Sequence, residues 1–179
     1  MINRSRRSFS AEEREALDRM RPRWIDGALQ RLFGTSALTK RTEELRLRDL
    51  EQGELEVLQV KATRVVEIEP TEGEGPIVFF GSTESPSIVV LAGPWIDDPH
   101  LVAFDEAAEV QAAGDWFTHF TVERSPHLGN VFRVKVHGGA ATPTRVAARV
   151  PFLLECEVLP GTLEQLDDAL SHAALAKTP

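Results

Sequence analysis

Beyond Gly53 the apolar residues recur at every second position. Leu58, Val60, Ala62, Val66 and Ile68 share one parity, while Gln59, Lys61, Thr63, Glu67 and Glu69 take the other. Successive side chains of a β-strand point to opposite faces, so residues 54–69 read as a long strand with one buried and one wet face. Arg64 interrupts the apolar set, and Leu55 and Val57 are out of phase with it. A bulge or bend reconciles both. Residues 77–80 and 88–92 are continuously apolar, which predicts strands over 77–80 and 87–92 buried on both faces. Trp116, Phe120 and Val122 then alternate with Phe117, His119 and Glu123, and Phe132, Val134 and Val136 with Arg133, Lys135 and His137. The link Ser125-Pro126-His127-Leu128-Gly129-Asn130 makes these two a hairpin. A last strand over residues 147–159 puts Phe152, Leu154, Cys156 and Val158 on one face.

Both ends of the chain carry helix signals. Ser10-Ala11-Glu12-Glu13 and Thr162-Leu163-Glu164-Gln165 each have the spacing of a capping box, with a hydroxyl and a Glu or Gln three residues apart. After the first box, Leu17, Met20, Trp24, Ala28 and Leu32 form an apolar stripe, which Pro22 kinks or splits and Gly34 ends. Residues 39–48 read as a further helix or, from Leu45 and Leu47, as the start of a strand; residues 49–53 read as a turn. After the second box, Leu163, Leu166 and Leu170 follow at helical spacing. Strands in series between helices mean α+β rather than α/β. The expected fold is a mostly antiparallel six-stranded curved sheet, small barrel or roll, with N-terminal helices and a capped C-terminal helix. Pleckstrin-homology-like and SH3-like rolls both fit that description.

Charge divides the chain near Asp49. Residues 1–48 hold 12 Lys+Arg and 7 Asp+Glu, a net of +5; residues 49–179 hold 8 and 21, a net of −13. This gives a basic helical segment, 1–48, and an acidic β-rich domain, 49–179. The acidic domain lacks the surplus cations that nucleic acid demands. The basic segment has three readings. Arg4, Arg6 and Arg7 beside Phe9 suit an anionic membrane surface. The stripe Leu17, Met20, Trp24 and Leu32 suits docking of a protein partner or a second copy. Alternatively, the segment packs on its own acidic β part, since +5 and −13 attract. No apolar run long enough for a signal peptide or a membrane span occurs, so a cytoplasmic location is expected.

Few residues offer chemistry. Asp97, Asp98 and His100 lie within four residues and could hold a cation, although Asp-Asp-Pro is also ordinary loop chemistry. His119 and His137 lie on the polar parity of two paired strands, where they become neighbours if the register allows. The acidic stretch 97–115 is a long excursion, with residues 105–113 suited to a short helix. Cys156 is the only cysteine, which excludes an internal disulfide; its apolar neighbours and the flanking Glu155 and Glu157 predict an inert buried thiol. No nucleophile elbow, dinucleotide fingerprint or phosphate loop is present, so no cofactor is expected.

The run Val60 to Glu69, then Glu74-Gly75-Pro76 and Gly93-Pro94-Trp95, resembles a group of short bacterial proteins with a similar strand–turn–strand layout. The likeness spans about residues 53–170 and implies no activity, cofactor or site residue. The resulting expectation is a non-catalytic binding or protein-interaction module that docks through its N-terminal helix. The rivals are a small metal-assisted enzyme using Asp97, Asp98 and His100, and a peripheral adaptor on anionic membranes.

Overall fold

The structure, a computed structural model, describes residues 1–19, 35–68, 76–93, 100–105, 114–146 and 155–170. Its elements run β1 (Ile2–Ser8), α1 (Ala11–Arg19), α2 (Thr35–Gln52), β2 (Glu54–Lys61), β3 (Arg64–Ile68), β4 (Ile77–Ser82), β5 (Ser85–Ala92), β6 (Val102–Phe104), β7 (Trp116–Arg124), β8 (Val131–Ala141), β9 (Thr144–Val146) and β10 (Cys156–Pro160). A 3-10 turn over Leu163–Gln165 leads into helical residues 166–170. The α+β class holds. The single six-stranded sheet, barrel or roll does not: the strands form two open five-stranded sheets, ordered β1-β2-β7-β8-β6 and β10-β5-β4-β3-β9.

The expected long strand over 54–69 is what splits. β2 pairs with β1 and β7 in the first sheet, whereas β3 pairs with β4 and β9 in the second. At the corner, Ala62 N–H donates to Thr118 O (2.8 Å) and Thr63 N–H to Gly81 O (2.9 Å), one bond to each sheet. Three strands escape the alternation pattern for physical reasons. β1, with the sequence INRSRRS, is a polar edge strand, and charge on an edge discourages further pairing. β6 and β9 are three residues each, too short for a period to be read.

Phe80, Phe117 and Phe120 meet between the sheets, with ring centroids 4.8–5.8 Å apart. Leu58, Val60, Val89, Leu91, Val122, Val134 and Val136 close around them from both sides. Each such side chain contributes roughly 1.5–3 kcal/mol by leaving water. Phe117 and Phe120 reach the same interior because the ladder shifts register between His119 and Phe120. The other face of the second sheet is covered too: Phe79, Ile88 and Val90 pack with Leu163, Ala169 and Leu170. That double cover is why β4 and β5 are apolar at consecutive positions.

The first capping box forms as its spacing requires. Glu13 N–H donates to Ser10 Oγ (3.1 Å), and Ser10 N–H donates to Glu13 Oε2 (2.7 Å). The second does not: Thr162 makes no side-chain cap bond, and the turn begins as 3-10. α2 continues through the expected turn at Asp49. Its Asp49 is fully buried, and the carboxylate accepts from His127 N–H (2.9 Å) and Leu128 N–H (2.8 Å) in the β7–β8 loop. Beside it, buried Arg124 donates to Glu56 through Nε (2.8 Å) and Nη2 (2.5 Å), and to Cys156 O through Nη1 (2.5 Å).

Gly81 lies under Leu163. A Cβ there would stand 2.6 Å from Leu163 Cγ, so Gly81→Ala should lower stability by about 1–3 kcal/mol through overpacking, measured by urea denaturation. The N-terminal clasp gives a pH test. Arg7 donates to Glu13 (2.8 and 2.5 Å) and holds its carboxyl down to about 2, from an ordinary 4.5. A depressed folded value contributes stability above the unfolded value and loses it as pH falls. Melting temperature should therefore drop between pH 4.5 and about 2, with a shallower drop in Glu13→Gln.

Candidate functional site

The first sheet has one face toward the core and one outward. On the outward face α1 and α2 cover the end next to the β7–β8 loop. Arg7 bridges Glu13 of α1 to Glu123 of β7 (2.5 Å), and Phe9 packs on Phe132 at 5.9 Å. Leu17 and Leu55 are fully buried there. Arg46 of α2 donates to Asp18 Oδ1 (2.9 Å), tying the helices together. Among the described residues, none covers the opposite end of the face, which is polar.

Strand register builds that open end. Lys61 of β2 stands opposite His119 of β7, and Gln59 opposite Thr121. Across the other side of β7, Thr121 stands opposite Lys135 of β8. The register shift at His119 brings its ring to 5.0 Å from that of His137, as their shared polar parity suggested. Asp105 follows β6 directly, and its N–H donates to Val136 O (2.8 Å). Its carboxylate then meets Lys135 Nζ (2.5 Å) and His137 Nδ1 (2.5 Å). On the far side of the ring, His137 Nε2 lies 2.8 Å from Thr121 Oγ1. With Nδ1–H given to the carboxylate, a neutral His137 accepts from the Thr121 hydroxyl.

Charge on this patch is unevenly neutralised. The Lys135 ammonium, and after it His137, hold the Asp105 carboxyl below the usual carboxylate range. Burial, then the Lys61 charge and the neighbouring His137, push the His119 imidazole below its ordinary value, with Asp105 opposing more weakly. Lys61 is exposed and His119 partly so. Among the described residues, neither side chain has a hydrogen-bond or ion-pair partner.

The order Asp105, His137, Thr121 is that of a carboxylate orienting a base beside a hydroxyl. The surroundings do not complete such a site. Thr121 sits in the interior of β7, whose backbone is paired on both sides with β2 and β8. Its N–H groups therefore serve the ladders and are not free to hold a developing oxyanion.

The sequence-derived candidates fall elsewhere. Asp97 and Asp98 lie outside the described residues, and His100 is exposed. Among the described residues, no group of three His, Cys, Asp or Glu side chains is placed to hold a metal. Of the docking stripe, Leu17 is fully buried within the chain, and Met20, Trp24 and Leu32 lie outside the described residues. Arg4 faces Glu56 (3.7 Å) and Arg6 faces Glu54 (3.3 Å), so the basic segment meets the acidic β part. No helix among the described residues is long and apolar enough to cross a membrane. The Cys156 thiol is fully buried, and burial pushes its pKa up to about 11. Lys61 and Thr121 carry no chemical motif in the sequence, and Asp105 stands out there only as one acid of the stretch 97–115. For Thr121 the signal was its parity with His119; for Asp105 it was the short apolar run 101–104 just before it.

Because Lys61 helps hold the His119 value down, Lys61→Met should raise it. NMR titration of the imidazole signals checks this, and an unchanged midpoint would remove Lys61 from the patch. Comparison of the chain with family models, with curated proteins and with solved structures finds no match.

Proposed function

We propose that this chain is a non-catalytic binding module, and that it takes a small anionic ligand on the open end of its first sheet's outer face. The observation that carries this is the pairing of Lys61 with His119, two adjacent donors without a partner among the described residues. Among the described residues their acidic neighbour, Asp105, is already held by Lys135 and His137. The patch thus has positive character within a chain of net charge −8, and local field, not net charge, steers a small ligand.

The N-terminal segment has a supporting part in this reading. Arg7 joins Glu13 to Glu123 on the outward face beside the helices, while Arg4 and Arg6 meet Glu56 and Glu54, which share the register of core-facing Leu58. That weakens their use on an anionic membrane, since each is already matched by a carboxylate. Binding without turnover is favoured because a β-ladder surrounds Thr121 and leaves its backbone donors engaged.

Two measurements test the reading. Backbone NMR mapping with a panel of small carboxylates, sulfonates and phosphates should move signals of residues 59–61, 119–121 and 135–137. Shifts confined to residues 4–7 would overturn it. Hydrolysis of p-nitrophenyl acetate should be the same for the wild-type chain and Thr121→Val. A loss of turnover in that variant would replace binding with hydroxyl-based catalysis.

A further inference from the structure

We infer that the anion taken by this face is a phosphoryl group seated between the Lys61 ammonium and the His119 imidazole, and that its binding is linked to protonation of His119. The inference rests on the binding-module reading above and names the ligand's chemical class.

The geometry begins with the strand pair. Lys61 and His119 are direct partners across β2 and β7, so their Cβ atoms are roughly 4.5–5.5 Å apart. Two donors at that spacing converge on one tetrahedral group above the sheet. Lys is an established phosphate partner as a mobile point charge, and a phosphoryl group offers these two donors three acceptor oxygens and nearly two negative charges, where a carboxylate has two oxygens and one charge. The His137 ring, 5.0 Å from that of His119, is fixed at both nitrogens, by Asp105 and by Thr121. It therefore acts as a wall that sets where His119 lies, while His119 remains free to donate.

Charge chooses the dianion. Protonated His119 beside Lys61 presents two positive charges, and a phosphate monoester carries about −1.5 to −2 at neutral pH. The groups facing His119 are Lys61 on β2, with the Met1 amino group on its carbonyl; His137 and Lys135 on β8; and Asp105 after β6. Lys61 and His137 oppose its protonation, and Asp105 favours it too weakly to prevail. A dianion on this spot reverses the balance and draws a proton onto His119. Binding should therefore tighten as pH falls toward the second ionisation of the phosphate, about 6 for a monoester, and weaken again below it as the dianion is lost.

The test uses the full chain and inorganic phosphate, with sodium chloride and sodium acetate at matched ionic strength. NMR follows each imidazole across pH. Phosphate should raise the His119 midpoint by roughly half a pH unit or more, saturably, with smaller changes at His100, His127 and His172. Lys61→Met should weaken phosphate binding about tenfold or more, the loss expected for one charge-assisted hydrogen bond, and Lys61→Arg should restore most of it. Lys61 is exposed, so both variants should fold; circular dichroism verifies this. An equal rise with chloride means simple screening and overturns the inference. Saturation by acetate but not phosphate overturns the phosphoryl class while leaving the binding face intact. Saturation by neither, or phosphate shifts mapping only to Arg4 and Arg6, overturns the binding face as well.

Discussion

Two residues, Ala62 and Thr63, stand between the first sheet and the second. Their backbone N–H groups bond one to each sheet, so the corner is paired rather than loose. Everything else follows from that crossing. It allows β2 to lie centrally between β1 and β7, and it delivers β3 to the opposite layer with Val65 facing the shared interior. A corner placed one residue earlier or later would turn the apolar set of one strand to the wrong face. It also positions Lys61, the last residue of β2, at the rim beside His119.

The charge asymmetry acquires a structural meaning. The basic N-terminal residues form an edge strand whose arginines face carboxylates on β2, on α1 and on β7. Exposed pairs of this sort contribute little individually. Collectively they choose which edge and which end of the sheet face the segment occupies. The buried set behaves differently. Arg124, Glu56 and the Cys156 carbonyl are mutually satisfied, and losing one partner there would strand a buried charge at a cost of about 3–5 kcal/mol.

Much of this architecture was legible in the residues, and the remainder failed for identifiable reasons. Alternation located β2, β7 and β8, and continuous apolarity revealed that β4 and β5 are covered on both faces. The first capping box read true because both its partners are local. Parity cannot show a strand changing sheets, since 54–69 keeps its alternation nearly intact through the corner. β1 has little apolar content to alternate, and β6 and β9 are too short to carry a period. Asp49 looked like turn chemistry because its real partners, the N–H groups of His127 and Leu128, are 78 and 79 residues away. The His119 and His137 neighbourhood was readable from strand parity. The roles of Asp105 and Thr121 required the register shift and the parallel β6, which only three-dimensional pairing reveals.

The order of the first sheet has a bearing on how the chain is made. β1 ends at Ser8, yet its partner β2 begins at Glu54, and β2's other neighbour begins at Trp116. β1 must therefore wait, unpaired, while residues 9–53 are synthesised, and the sheet interior stays open for longer still. Contacts so distant in sequence make assembly slow and leave strand edges exposed in the meantime. The arginine-rich composition of β1 suits that interval: a nascent strand with like charges repels copies of itself on neighbouring chains until the acidic β2 arrives to receive it.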